Sequence, residues 1–253
     1  VVAVPLEKKI DRGYTVLTEE HTGRPKMDIA KFCTSAEKYP PPPAANGAGG
    51  PMQFSYGTAG FRTKGDLLTS TVFRCGALAA VRSHVTGRAT GIVITASHNP
   101  EPDNGVKLVD CTGGMLPVSW ESHAEALANA DGPDAMKAVL EALMTTKTSA
   151  AADLDLHPPP PPGVPADPAP PHVFLARDTR PTGPDLAAAA KAGAEAIAGE
   201  GSVTDFGLMT TPQLHYLVYA AYRGMPHAES DYFARLASGF RTLVAATTTT
   251  ASA

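Results

Sequence analysis

Residues 91–110 read GIVITASHNPEPDNGVKLVD, and this stretch decides the fold class. GIVIT at 91–95 is rich in β-branched residues and of strand length. Ser97 follows at the strand's exit, directly before His98 and Asn99. Pro100 and Pro102 stiffen the loop beyond it. Asn104-Gly105 is a turn signal that opens a second short strand, GVKLVD. The pattern presents one hydroxyl at the end of a strand, with polar groups on both sides and Lys107 ten residues downstream.

Outward from this stretch the hydrophobic period alternates between strand and helix. Upstream, Leu68, Val72, Cys75, Ala79, Val81 and Val85 recur every three to four positions, which predicts an amphipathic helix over 66–85. Its polar side is expected to carry Arg74, Arg82 and His84. Before it, MQFSYGTAGFRT (52–63) reads as a short strand leading into a Gly-rich turn. MDIAKFCTSAEKYP (27–40) reads as a helix with Asp28 at its start. Downstream, a helix over 119–130 is expected to be capped by Ser119, with another over 133–145. Strands at 172–176 and 201–207 flank a helix at 184–199. Leu214, Leu217, Val218 and Ala221 mark one helical face, with Pro212 as first helical residue. A last helix over 227–244 runs through Tyr232, Leu236 and Phe240. Alternation of this kind predicts an α/β fold, a mixed sheet covered by helices.

The 24 prolines are unevenly spread: fourteen lie in 40–51 and 158–171, so the packable part is closer to one domain than two. The expected organisation is an irregular extension over 1–26 and a domain over 27–244 with Pro-rich inserts at 40–51 and 149–171. A low-complexity tail over 245–253 completes it. A net charge of −4 argues against a nucleic-acid partner. No apolar run reaches the ~20 residues of a membrane span, so no membrane partner is expected and the location is expected to be cytoplasmic. Cys33, Cys75 and Cys111 are scattered and odd in number, without zinc or redox spacing, and are expected to be reduced thiols.

Four strings together carry a resemblance: YGTAGFRT (56–63), TASHNPEPDNGVKLVD (95–110), RDTRPTG (177–183) and DFGLMTTPQLHYLVY (205–219). In order and spacing they resemble the first domain of the phosphohexomutases. EPDNGVKLVD, GGML and TTPQLHY further resemble their phosphoacetylglucosamine mutase branch. Cys111-Thr112 departs from that pattern, where a proline is expected after the aspartate. The resemblance implies an isomerase that interconverts the 6- and 1-phosphates of N-acetylglucosamine through a phosphoserine, on the route to UDP-N-acetylglucosamine.

Under that resemblance Ser97 carries the phosphoryl group, and His98, Lys107 and Arg62 are the catalytic candidates. Asn99, Asn104, Gly57 and Thr58 are candidates for binding substrate or phosphate. Mg²⁺ is the implied cofactor, held here by Ser97 through its phosphate, and a hexosamine phosphate is the implied substrate. The glycines of GTAGFR let backbone N–H groups come close to an anion. A lysine acts as a base only when burial or a nearby cation lowers its pKa. The D-G-D-x-D-R metal string that the resemblance implies does not occur among the 253 residues. The chain is therefore expected to be inactive alone, or to work in a larger protein assembly that supplies or replaces the missing parts. The alternative is a non-catalytic structural or interaction subunit that keeps the scaffold. A serine hydrolase fits poorly, since Ser97 and His98 are adjacent and no G-x-S-x-G elbow is present.

Overall fold

The computed structural model describes residues 26–44, 49–145 and 170–250, so the extension up to residue 25, residues 45–48 of the first proline insert, residues 149–169 of the second and the last three residues of the tail lie outside the described residues. Five strands form one mixed sheet in the order β1-β3-β2-β4-β5, with β1 at Phe61–Lys64, β2 at Thr90–Ile94, β3 at Asp103–Val109, β4 at Val173–Arg177 and β5 at Val203–Leu208. β3 runs antiparallel to both β1 and β2, while β2, β4 and β5 are parallel. Register therefore brings the ends of β1, β2, β4 and β5 and the start of β3 to a single edge of the sheet. Lys64 pairs with Asp103, Ile94 with Val106 and Ile94 with Arg177. The carboxyl edge of parallel strands is where open α/β sheets place their ligands.

Helices cover both faces, which gives the predicted α/β architecture. Ile92, Ile94, Val106, Leu108, Val173 and Leu175 point to one side. There they meet α1 (Ile29–Ala36), α2 (Thr69–Thr86), α3 (Val118–Ala128), α4 (Gly132–Thr145) and α5 (Gly183–Ala198). Val93, Val109, Phe174 and Ala176 point to the other and pack on α6 (Thr211–Tyr222) through Leu214, Leu217 and Val218. The tightest seam is between α2 and α5. A Cβ on Gly76 would sit 2.0 Å from the Ala190 carbonyl oxygen, and one on Gly193 would sit 1.8 Å from that of Phe73. Glycine at both positions lets the helix backbones touch.

The structure corrects several local expectations. Helix α2 has no solvated side: Arg74 and Arg82 are buried. Arg74 Nη1 donates to the carbonyls of Leu127, Ala128 and Ala130, closing the C-terminal end of α3. Arg82 forms a two-point ion pair with Asp110 and stacks over Trp120. Charged residues at helical spacing look like a surface stripe in sequence, and here each has a partner inside. Residues 52–56 form no strand, because side chains of α3 and of its C-cap residue Asn129 satisfy their backbone. The Asn129 side chain bonds both N–H and C=O of Phe54, and Glu125 Oε1 accepts from Tyr56 N. The strand of that segment comes after the Gly-rich turn, as β1. Asn104-Gly105 lies inside β3 rather than forming the turn, which Asp103 N closes onto the Pro100 carbonyl. Gly105 is there because a Cβ would meet the Phe61 and Thr95 carbonyl oxygens at 2.8 Å.

Helix boundaries shift as well. Pro117, not Ser119, is the cap residue of α3. Thr211 precedes Pro212 as first residue of α6. Helix α7 spans Glu229–Thr250, six residues beyond the expected end at 244, so 245–250 continue the helix. Its Leu236 and Phe240 are exposed rather than packed. The outer parts of the first proline segment pair with each other, Met52 N donating to the Pro42 carbonyl. The three cysteine thiols are buried and unpaired, and burial pushes Cys111 up to about 12.

Candidate active site

β2 is buried along its whole length and ends at Ile94; three residues later the chain surfaces at Ser97 and His98. Two tight turns shape the loop, with Asn99 N donating to the Ala96 carbonyl at 2.7 Å and Asp103 N to that of Pro100 at 3.0 Å. Ser97 and His98 are exposed, so the hydroxyl stands free on the carboxyl edge of the sheet.

Lys107 and Arg62 lie on one face of the sheet, and Arg62 reaches the Ser97 loop at Asn99. Lys107 pairs with Val93 and Arg62 with Gly105, and residues 105 and 107 share a face by the two-residue period of a strand. Both are half-buried. Burial, and then the Arg62 charge, hold the Lys107 ammonium below the ordinary lysine value. That is the condition under which a lysine can hand on a proton. The Arg62 guanidinium donates to Asn99 Oδ1 at 3.4 Å, and Asn99 Nδ2 donates to Asp103 Oδ2 at 3.1 Å. Lys64 closes this line on the other Asp103 oxygen at 2.6 Å. Those Lys64 and Asn99 contacts hold the Asp103 carboxyl below the usual carboxylate range.

The remaining candidates separate. Gly57 and Thr58 are exposed on a turn closed by Gly60 N donating to the Gly57 carbonyl at 2.7 Å. That turn rests on β3 beside Lys107: Gly60 has φ +79°, and a Cβ there would strike the Val106 carbonyl oxygen. Asn104 is fully buried, donating to Thr182 Oγ1 and accepting from Gly105 N. It therefore sits behind the loop and holds it, away from the surface that Ser97 presents.

The RDTRPTG segment at 177–183, quoted above only for its resemblance, ties the site together. Asp178 accepts from Thr95 Oγ1 at 2.8 Å and from Arg180 Nε at 3.2 Å, tying the ends of β2 and β4. Arg180 reaches on into the Ser97 loop. The only signal in sequence is a polar R-D-T-R string directly after a strand. A cavity of about 440 Å³ opens next to Ser97, between Arg177, Asp178, Met209 and the first turn of α6. On α6 itself, His215 Nδ1 is 2.8 Å from the Gly113 carbonyl, and burial lowers the pKa of the ring.

Among the described residues no three His, Cys, Asp or Glu side chains cluster as metal ligands. Asp178 and Asp103 are engaged by Arg180 and Lys64. A magnesium ion takes about six oxygens, so these residues do not fit a complete Mg²⁺ site.

Comparison with known proteins agrees with this geometry. Residues 71–134 match the family model for phosphoglucomutase/phosphomannomutase, alpha/beta/alpha domain I. The phosphoacetylglucosamine mutase of Oryza sativa subsp. japonica is 45% identical over 193 residues, 76% of this chain and 32% of that protein. The Homo sapiens phosphoacetylglucosamine mutase is 39% identical over 188 residues, 73% and 31% of the two chains. A crystal structure of apo N-acetylglucosamine-phosphate mutase, a member of the α-D-phosphohexomutase superfamily, superposes with TM-score 0.68 at 35% identity, covering 85% of this chain and 42% of that one. The Aspergillus fumigatus N-acetylphosphoglucosamine mutase, solved with GlcNAc-6P and magnesium, gives TM-score 0.59 at 37% identity, covering 77% and 31%. The chain thus spans about a third of the length of the curated relatives it matches.

Proposed function

We propose, from the premise that this chain is a phosphohexomutase-superfamily member carrying the α/β/α domain I, that Ser97 takes and returns the phosphoryl group exchanged between N-acetylglucosamine 6-phosphate and N-acetylglucosamine 1-phosphate. The observation that carries this reading is the exposed Ser97 hydroxyl at the sheet's carboxyl edge, on a loop that the Arg62 guanidinium reaches through Asn99, with a half-buried Lys107 of lowered pKa on the same sheet face as Arg62.

Transfer from a phosphoserine breaks the bond between phosphorus and the serine oxygen. A new bond forms to the hydroxyl oxygen at C1 or C6 of the sugar. The sugar hydroxyl loses a proton and the serine oxygen gains one. Such transfer is mostly a matter of alignment and charge neutralisation. Arg62 contributes a fixed cation through its bond to Asn99. Lys107 contributes a second cation that can also hold or release a proton. His98 and the 57–58 turn are exposed as well. A bound Mg²⁺ would supply further neutralisation of the transferring group. This chain's share in holding such an ion would be a phosphoserine oxygen at Ser97.

The test is incubation of the chain with glucose 1,6-bisphosphate and Mg²⁺, followed by intact-mass analysis and peptide mapping. One phosphate on Ser97, absent from Ser97→Ala, is expected, without net turnover of N-acetylglucosamine 6-phosphate by the chain alone. A folded chain whose label persists in Ser97→Ala would remove Ser97 from the role. Absence of any label would favour the non-catalytic scaffold.

A further inference from the structure

Arg180 lies between β4 and α5, and its guanidinium crosses the sheet edge into the loop that carries Ser97. Nη2 donates to the carbonyls of Ala96 at 2.6 Å and Asn99 at 2.9 Å. Nη1 donates to those of Pro100 and Asp103, both at 2.7 Å, and more distantly to Glu101 at 3.2 Å. Nε donates to Asp178 Oδ2 at 3.2 Å. The fork has five N–H groups, and these acceptors engage all of them. The side chain is 10% exposed. No donor is left over for a phosphate, so Arg180 does not touch substrate.

Its effect on the loop follows from peptide geometry. In a trans peptide the carbonyl and the next residue's N–H point in opposite directions, and no cis peptide occurs among the described residues. Carbonyls 96 and 100 point at Arg180. The N–H groups of Ser97 and Glu101 therefore point away from it, on two residues that are exposed. Asp178 fixes the fork from behind, accepting from Arg180's own backbone N–H at 3.0 Å and from Thr95 Oγ1 at 2.8 Å.

We infer that Arg180 is a positioning residue: it gathers the carbonyls of the 96–103 loop on the inner side and so turns the Ser97 hydroxyl and the N–H groups of Ser97 and Glu101 outward as a preformed anion-facing surface. The inference rests on the reading of Ser97 as the phosphoryl carrier. Lysine cannot replace this arginine, because an ammonium has three donors and no planar fork.

The experiment uses the chain with phosphoserine placed at position 97, as wild type and as Arg180→Lys. Phosphorus NMR follows the phosphate's titration, and hydrogen exchange follows the Asn99 and Asp103 amides. In wild type the phosphate is expected to titrate below the ordinary phosphoserine value of about 6. In Arg180→Lys it shifts up towards that value. The two loop amides exchange roughly tenfold faster or more, while amides of β2 and β4 keep their protection. A merely structural arginine would lower the unfolding midpoint and leave the phosphate titration of the folded protein unchanged. A folded Arg180→Lys with both readouts unchanged overturns the role of Arg180. A wild-type phosphate titrating at the ordinary value overturns the Ser97 reading instead, and the exchange data then judge Arg180 alone. If Arg180→Lys does not fold, Asp178→Asn loosens the fork and gives the same two readouts. Loss of folding in both variants overturns the inference, since the pair would then hold the whole domain rather than the loop.

Discussion

Replacing Arg82 by methionine isolates the largest electrostatic element of the core. Arg82 and Asp110 are 1% and 0% exposed, paired at 2.9 and 3.2 Å, and the guanidinium lies 4.7 Å from the centre of the Trp120 ring. Methionine keeps the apolar stem and removes the charge and both hydrogen bonds that Arg82 gives the buried Asp110 carboxylate. Removing one partner of a buried pair costs about 3–5 kcal/mol. The lost desolvated cation–π contact sets the upper part of that range, at about 2 kcal/mol. For a domain of this size each kcal/mol moves the midpoint by ~2–4 °C, so thermal unfolding is expected to fall by roughly 6–20 °C. Urea unfolding followed by circular dichroism gives the same quantity isothermally, with the slope m unchanged. Arg82→Met combined with Asp110→Asn should cost less than the sum of the single changes, by ~1–3 kcal/mol. A single-variant loss under ~1 kcal/mol, or additive losses, would show that the pair does not act as a unit and refute the reasoning.

Further outcomes follow from other contacts. Gly193→Ala puts a Cβ 1.8 Å from the Phe73 carbonyl oxygen where ordinary contact begins at 3.4 Å, so α2 and α5 must part. Overpacking of this kind costs about 1–3 kcal/mol or more, and chemical denaturation measures it; an unchanged midpoint would contradict the seam. Lys107 should titrate below the free-lysine value of about 10.4, read by NMR of reductively ¹³C-methylated lysines. Because unfolding restores the higher pKa, Lys107 disfavours the folded state while protonated, and its share of stability rises as pH passes upward from the lowered pKa towards the free value. Arg62→Met removes one of the two causes and should move the Lys107 titration upward; a titration already at the free value in the unaltered chain would contradict the half-buried placement.

Elements whose physics is local were readable from sequence. GIVIT is a strand because β-branched residues fill a buried central position, and Asp28 starts α1 by accepting from Lys31 N at 2.9 Å. Chemistry at Ser97, Lys107 and Arg62 could be named because the strings bearing them are distinctive, while their common face emerges only from the pairing of β1 and β2 with β3. Parts that depend on distant partners were not readable. Arg74 and Arg82 look like a solvated stripe until Asp110, Trp120 and the end of α3 come to meet them. Asn104-Gly105 has the composition of a hairpin turn, and the close approach of β1 and β2 draws it into a strand instead. Arg180 is the strongest case. Nothing in R-D-T-R-P-T-G announces that one guanidinium will bind five carbonyls more than 75 positions earlier in the chain.

The most direct measurement is the phosphorus NMR titration of the chain bearing phosphoserine at 97, compared with the same chain carrying Lys107→Met. Nearby cations favour the dianion. A second phosphate pKa below about 6 is expected in the parent chain, with a clear rise when the ammonium is removed. A parent value equal to that of an unstructured phosphoserine peptide, unmoved by Lys107→Met, would contradict it.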